Sequence, residues 1–316
     1  MRRVKKPRSH LDTSHPTDTL DGWHDTPRGT NMELAYFADE VHKEDFDEAV
    51  RLGVEAGATG IELRGGIWGK RVQQVDDDDV QRVQDVLAKY GVKICSIGSP
   101  VGKCDHESAE ERDEHYRMFD RMVELAHVFD TKVIRGFALW NPRIKEDNIK
   151  RNQANTHRPD LDRYLDTVVT FLAPIVRKAS AAGVTLSLEN EGATIAGSCA
   201  EARKVADALD KVTGTPDGFT FCWDVVNGIQ CGESYMPEGY EQIKGRITHL
   251  HVKPNEEKEI FPIRNTTDGS YGDLIRTLQL DGYQGAASIE HWGSPELMLK
   301  GIRQLREVLD SLQEAR

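Results

Sequence analysis

A single (β/α)₈ barrel, the TIM barrel, is the fold class that this sequence predicts. From Met32 onward, short β-rich runs alternate with amphipathic stretches whose apolar residues recur at helical spacing. Eight such alternations occur, and no two strand-like runs follow each other directly, which is typical of βαβ units and a parallel sheet. Eight parallel strands that close on themselves form a barrel.

Each strand-like run is short and lies between polar segments. We predict strands at 34–38, 60–64, 92–97, 132–138, 184–189, 219–224, 248–253 and 286–290, and helices at about 45–57, 77–90, 107–129, 160–182, 199–212, 238–245, 270–280 and 295–313. In the first helix, Phe46, Val50 and Val54 share one face, and Gly57 stands where a helix commonly ends.

An open, doubly wound parallel sheet is the competing architecture. Such a sheet usually carries a glycine-rich phosphate-binding turn after its first strand. Residues 37–43 (FADEVHK) carry no such turn, so the barrel is favoured.

The N-terminal segment differs in composition from the rest of the chain. Residues 1–31 are rich in Pro, Ser, Thr, Asp and Arg and show almost no apolar periodicity. We interpret them as a disordered extension, with a regulatory or docking tail as the alternative, and assign residues 32–316 to one barrel domain.

Charge and composition exclude several classes of protein. The 316 residues contain 41 Lys and Arg against 53 Asp and Glu, a formal charge of −12 that disfavours nucleic acid as a partner. No apolar run approaches the roughly 18 residues of a membrane span, and no secretory signal is evident, so we expect a cytoplasmic protein. The cysteines lack metal or redox spacing and are expected to be reduced: Cys95, Cys104, Cys199, Cys222 and Cys231.

Acidic residues and a histidine mark the ends of the last four predicted strands. Strand five ends in Glu189, strand six in Asp224 and strand eight in Glu290, and strand seven contains His251. In such a barrel the C-terminal strand ends meet at one rim, where active sites lie. Gathering three carboxylates there is costly without a cation, so the pattern predicts one divalent metal ion.

The predicted ligand set limits the choice of metal. Three oxygen ligands and one nitrogen are too hard for copper(I), and the thiolates of structural zinc are missing. Mn²⁺, Mg²⁺, Co²⁺ and catalytic Zn²⁺ all remain open.

Several of these motifs together resemble a known family. IELR (61–64), LENEG (188–192), WDVVN (223–227), HLHVKP (249–254) and DGYQGAASIEHW (281–292) resemble the sugar phosphate isomerase/epimerase group of xylose isomerase-like TIM barrels. That group includes tagatose and psicose 3-epimerases, hydroxypyruvate isomerases and inosose dehydratases. The resemblance covers about residues 32–313.

The resemblance implies a function as well as a fold. It implies that Glu189, Asp224, His251 and Glu290 bind the metal, that Glu189 and Glu290 also transfer protons, and that the substrate is a keto sugar or polyol which reacts through an enediolate. Two positions depart from the ketose 3-epimerases: Asn227 stands where they usually have His, and Pro254 stands where they carry Glu. A close copy of such an epimerase is therefore not expected.

Four further residues are candidates for substrate binding. Lys253 shares the inward face of its strand with His251, and either contacts a substrate oxygen or balances the acidic rim. Arg135 and Glu62 lie on strands four and two, where a structural ion pair is the alternative role. Asn227 either supports a ligand carboxylate or forms a turn before Gly228.

The loop at 139–159 and two tryptophans allow two interpretations each. The loop is long for a barrel connection, so it is either a lid or binding loop, or a solvated insertion or subunit contact. Trp140 and Trp292 either stack on a sugar or pack within the protein. The sequence leaves open whether the protein forms a homo-oligomer.

Three other functions compete with an isomerase or epimerase. A metal-dependent lyase or dehydratase, including enzymes that cleave C-glycosides, would use the same metal and the same first deprotonation. The related apurinic-site endonucleases need additional His ligands, one of them where Asn227 stands, and a surface suited to DNA. A barrel that only binds a sugar or metal would not need both Glu189 and Glu290.

Overall fold

The computed structural model describes residues 32–314, and these form a barrel of eight parallel strands surrounded by helices. The strands are β1 (Leu34–Tyr36), β2 (Gly60–Leu63), β3 (Lys93–Ile97), β4 (Val133–Gly136), β5 (Thr185–Glu189), β6 (Phe219–Asp224), β7 (Ile247–Val252) and β8 (Ala286–Ile289). All of them coincide with the predicted runs to within a few residues, so the predicted fold class is confirmed.

The strands follow one another around the barrel without a change of order. Hydrogen-bonded neighbours run β1-β8-β7-β6-β5-β4-β3-β2. A parallel bridge between Phe37 and Glu62 then connects β1 with β2 at the remaining gap. At the carboxyl ends of β6 and β7, Asp224 lies opposite His251. All carboxyl ends therefore meet at one rim.

Helices connect the strands and cover the outside of the barrel. They are α1 (Phe46–Glu55), α2 (Asp77–Tyr90), α3 (Ala109–Val128), α4 (Arg143–Glu146), α5 (Leu161–Ala181), α6 (Cys199–Thr213), α7 (Val225–Gln230), α8 (Tyr240–Ile243), α9 (Tyr271–Leu280) and α10 (Pro295–Glu314). Asp45 and Ser198 show how the sequence begins a helix, since each side chain accepts a backbone N–H of the first turn. Gly91 and Gly214 end α2 and α6 in the left-handed conformation.

Three connections differ from the predicted helices. The short helix α4 lies within the predicted loop at 139–159. In place of the predicted helix at 238–245, a π-helical turn, Tyr235–Gly239, leads into the single turn of α8, which ends where Lys244 leaves the helical conformation before Gly245. The short helix α7 directly after β6 was not predicted, and Asp224 caps it through the N–H of Asn227.

Three further predictions concern the N-terminal segment, the cysteines and membrane-spanning helices. Residues 1–31, the predicted extension, lie outside the described residues. All five cysteines are free thiols, as expected. Within 32–314, every helix is too short or too polar to cross a membrane.

Candidate metal centre

The four predicted metal ligands meet at the C-terminal rim of the barrel. Glu189 and Asp224 are the last residues of β5 and β6, His251 lies near the end of β7, and Glu290 directly follows β8. One ligand atom from each side chain lies within 4.8 Å of those of the other three. All four residues are buried. The barrel brings them together although the first and the last, Glu189 and Glu290, are more than 100 positions apart in the sequence.

Local sequence fixes the position of the Asp224 carboxylate. Its Oδ1 accepts the N–H of Asn227 at 2.9 Å and so caps α7, which leaves Oδ2 directed to the other ligands. The side chain of Asn190 also exchanges two hydrogen bonds of 2.8 Å with the backbone N–H and C=O of Asp224. Asn190 thereby fixes the end of β5, where Glu189 lies, against the end of β6.

The orientation of the His251 ring is set by a carboxylate below it. Nε2 lies 2.9 Å from Oε2 of Glu62, and because the carboxylate accepts, Nε2 carries the hydrogen. Nδ1 lies 3.6 Å from Glu189 Oε1 and 3.7 Å from Asp224 Oδ2, and it has no hydrogen-bond partner although it is buried. A carboxylate that holds one ring nitrogen and frees the other is the usual support of a metal-binding histidine.

The cluster and its neighbours contain more negative than positive charge. The carboxylates are Asp39, Glu40, Glu62, Glu189, Asp224 and Glu290, and the cations that contact them are Arg64, Arg135 and Lys253. Six carboxylates against three cations leave a net charge of −3 when the imidazoles are neutral. Excess buried charge is costly, because each buried ion loses several kcal/mol of hydration. A divalent cation at the meeting point of the ligands removes most of this cost, and three carboxylates with one imidazole suit such an ion.

Neighbouring cations keep the two proton-transfer candidates ionised. Burial raises the pKa of Glu290, but the charges of Lys253 and Arg64 outweigh burial and lower that pKa to about 2. Burial also raises the pKa of Glu189, whereas His251, which is protonated when no metal is bound, and Arg135 lower that pKa below the ordinary range. Both carboxylates are therefore anions at neutral pH, which a metal ligand requires.

Lys253 and Asn227 contact the ligand carboxylates directly. The ammonium of Lys253 lies 2.6 Å from Asp224 Oδ2 and 3.1 Å from Glu290 Oε2, and it donates to Asn227 Oδ1 at 3.0 Å. Burial lowers the pKa of Lys253, but Asp224 and Glu290 raise it well above its usual value. The amide of Asn227 donates to Glu189 Oε1 at 3.3 Å.

Arg135 and Glu62 lie deeper in the barrel. The Arg135 guanidinium is 3.3 Å from Glu189 Oε2 and 3.4 Å from Glu62 Oε1. Glu62 is fully buried and accepts from both His249 and His251, at 2.7 Å and 2.9 Å. Burial raises the pKa of Glu62, but the two histidines and Arg135 lower it well below its usual value.

Sequence reasoning missed several residues of this site, among them Arg64, His249 and Glu40. Arg64 bridges Glu290 at 2.7 Å and Glu40 at 2.9 Å, and His249 shares Glu62 with His251. Two of these residues carried a readable signal. Arg64 and His249 each stand two positions from an inward-facing residue, Glu62 and His251, and residues two apart on a strand share a face. Glu40 ends the short 3₁₀ turn after β1, and no pattern in the sequence points to it.

The comparisons with known proteins agree with the barrel fold. A model of the xylose isomerase-like TIM barrel family matches residues 46–313. The chain belongs to this family. No curated protein matches the chain in sequence.

Three solved structures are similar to this chain in fold. A xylose isomerase-like TIM barrel protein from Mycobacterium smegmatis, in complex with magnesium, is 17% identical with a TM-score of 0.66 and covers 90% of this chain and 99% of its own. The 3-keto-D-glucoside 4-epimerase from E. coli is 16% identical with a TM-score of 0.65, over 90% and 99% of the two chains. A probable 3-DHS dehydratase from Bacillus anthracis is 16% identical with a TM-score of 0.63, over 87% and 98%.

A cavity of about 920 Å³ opens above the candidate ligands of this xylose isomerase-like barrel. Glu189, Glu290, Lys253 and Arg135 line its inner part, and Trp292 lies at its mouth. Two of the proposed ligands are thus reachable by a small molecule.

The loop at 139–159 does not contribute to the wall of that cavity. Its residue Arg158 donates to the carbonyls of Gly192 and Ile195 and pairs with Glu201, which fixes the loop against the segment after β5. Trp140 lies in the same loop with the Arg151 guanidinium 4.0 Å from its ring. Of the two tryptophans considered for stacking on a sugar, only Trp292 lines the cavity.

Proposed function

We propose that this protein is a divalent-metal-dependent isomerase or epimerase of a small keto sugar or polyol, acting through an enediolate. The convergence of Glu189, Asp224, His251 and Glu290 at the base of an open cavity carries the proposal. These four residues would hold the ion, for which Mn²⁺, Mg²⁺, Co²⁺ and Zn²⁺ are the candidates. When bound, the ion polarises a carbonyl oxygen and thereby acidifies the adjacent C–H.

Glu189 and Glu290 are assigned the proton transfers. Both line the cavity, and they come from strands separated by two others, so they approach a substrate from different parts of the rim. In this assignment one carboxylate removes the α-proton and the other returns a proton, and general acid–base groups of this kind contribute about 10²–10⁴ in rate.

The remaining residues position these groups or the substrate. Lys253 lines the cavity as an ammonium ion, which suits it to donate to a substrate oxygen rather than to remove a proton. Arg135 reaches both the cavity and Glu189, and we assign it the same kind of substrate contact. Glu62 and Asn227 contact His251 and Glu189 instead, so we assign them to orient those side chains.

A lyase or dehydratase is the second candidate function. The similar fold of the probable 3-DHS dehydratase supports it, because elimination begins with the same removal of a proton next to a carbonyl. The two reactions differ only in whether a leaving group stands β to the carbanion. We further propose that the protein has no nucleic-acid partner, since the formal charge is −12 and Asn227 stands where the endonucleases need His.

Proton exchange in deuterated water tests the proposed function. The chelated protein and the Mn²⁺-loaded protein are incubated with a panel of keto sugars and inososes, and ¹H NMR follows the α-C–H signal. We expect the signal to disappear and an isomer to form only with the loaded protein. A dehydrated product without any isomer would support the lyase instead. A loaded protein that exchanges no α-proton across the panel would contradict both functions.

A further inference from the structure

The cavity is larger than the proposed reacting sugar needs. Its volume of about 920 Å³ lies near the upper end of the roughly 300–1,000 Å³ found for pockets that enclose drug-sized ligands. Glu189, Glu290 and Lys253 lie in the inner part, where the chemistry is assigned. The outer part continues to the loop after β8, with Trp292 and Pro295 in its wall.

Trp292 is unusually exposed for such a large apolar side chain. The residue is 68% exposed, whereas Trp223 of the core is 1% exposed. Its backbone has a φ of +53°, a left-handed conformation that residues other than glycine seldom adopt. An aromatic side chain held in an uncommon conformation at a cavity mouth points to a role there.

A buried carboxylate holds this conformation in place. Oε2 of Glu40 accepts the backbone N–H of His291 at 2.7 Å and that of Trp292 at 2.9 Å. The other oxygen, Oε1, accepts from Arg64 at 2.9 Å. Glu40 is itself largely buried, so the segment that carries Trp292 is fixed from below.

The same network supports the indole ring and reaches the proposed metal site. The guanidinium carbon of Arg64 lies 4.9 Å from the centre of the Trp292 ring, and Arg64 also pairs with Glu290 at 2.7 Å. A cation against one part of the ring fixes it, while two thirds of the residue stay open to the cavity mouth and solvent. The ring is therefore positioned relative to Glu290 rather than free.

We propose that Trp292 is the platform of an outer subsite for a second ring, so that the substrate is a sugar carrying a ring substituent rather than a free monosaccharide. The inference rests on the proposed function, which assigns the inner cavity to the reacting sugar. A flat indole binds any ring with an apolar face, whether a second sugar or an aromatic aglycone, because both bury apolar surface against it.

Ligand binding to the Mn²⁺-loaded full-length protein tests this subsite. The probes are methyl β-D-glucopyranoside, phenyl β-D-glucopyranoside and cellobiose, and NMR titration gives each Kd. We expect either the phenyl glycoside or cellobiose to bind roughly threefold to tenfold more tightly than the methyl glycoside. The probe whose affinity exceeds that of the methyl glycoside by more shows whether the second ring is aromatic or a sugar. Trp292→Ala should abolish the difference, and Trp292→Phe should keep most of it.

The control variant is Leu280→Ala, which removes another exposed apolar side chain, at the C-terminal end of α9 and away from the rim. It should behave as wild type. The proposal is overturned if the wild type binds the three probes equally or binds none of them, or if Trp292→Ala keeps the preference. It is also overturned if Trp292→Ala changes only the oligomeric state in gel filtration, which would make Trp292 a subunit contact. Ring-dependent binding without α-proton exchange would instead count against the proposed function alone.

Discussion

The two histidines of β7 lie two residues apart on the same inward face, yet their surroundings differ. His249 donates to Glu62 at 2.7 Å, and neither residue lines the cavity. His251 also donates to Glu62, but its Nδ1 faces Glu189 and Asp224. His251 is thus the boundary between a lower group, Glu62 with His249, and an upper group, Glu189 with Asp224 and Glu290.

The two groups differ in how their charges are balanced. In the lower group, one carboxylate is matched by two imidazoles and Arg135. In the upper group, three carboxylates meet around one imidazole. Arg64, Arg135 and Lys253 are the cations that contact these carboxylates, and they are shared with Asp39, Glu40 and Glu62. Similar residue types are therefore paired in the lower group and carry excess negative charge in the upper group, where the candidate metal centre lies.

The largest effect is expected when the upper group loses a carboxylate. Glu189→Gln and Glu290→Gln keep an oxygen ligand but lose charge and basicity, so kcat should fall by about 10²–10⁴ even at saturating Mn²⁺. Solvent deuterium exchange at the substrate α-carbon measures the first step. Loss of exchange in one variant alone would identify the carboxylate that removes the proton.

Glu191→Gln is the matched control for these two variants. Glu191 lines the same cavity but pairs with Lys103 and is outside the ligand cluster. It should keep most of the activity. Exchange at the wild-type rate in Glu189→Gln or Glu290→Gln would show that this carboxylate is not the essential base for that proton.

The second prediction compares the two histidines. His251→Ala should release the metal on dialysis, because it removes the only nitrogen ligand of the cluster. His249→Ala should retain it with an affinity reduced by at most about 10–100-fold, the usual effect of a residue that supports a ligand. Elemental analysis after dialysis gives the metal content. Equal loss in both variants would place His249 among the ligands.

The smallest effect is expected at Lys253. Lys253→Met removes a charge beside Asp224 and Glu290, so metal affinity should stay near normal or rise slightly as repulsion is relieved. If the ammonium contacts a substrate oxygen, kcat/KM should fall by about tenfold to a hundredfold, the cost of a charged hydrogen bond. Steady-state kinetics and metal content measure both quantities. Metal loss equal to that of His251→Ala would mean that Lys253 supports the ion and not the substrate.

The sequence by itself determined the barrel and the proposed ligands. The eight strands were readable because each run of apolar residues is followed by polar residues and an amphipathic helix. Glu189, Asp224, His251 and Glu290 were readable because parallel strands bring their carboxyl ends to one rim, so position along a strand alone predicts proximity.

Only the tertiary structure decided how these residues are supported. Glu40 ends the short 3₁₀ turn after β1; its bond to Arg64 joins positions 24 residues apart, and its bond to the N–H of Trp292 joins positions 252 residues apart. The pairing of Asn190 with the backbone of Asp224 depends on the register between β5 and β6. Strand periodicity gives His249 and His251 the same face, so only the structure showed that His249 lies deeper, beside Glu62. Periodicity specifies which face a side chain takes, whereas partners and depth follow from packing among distant segments.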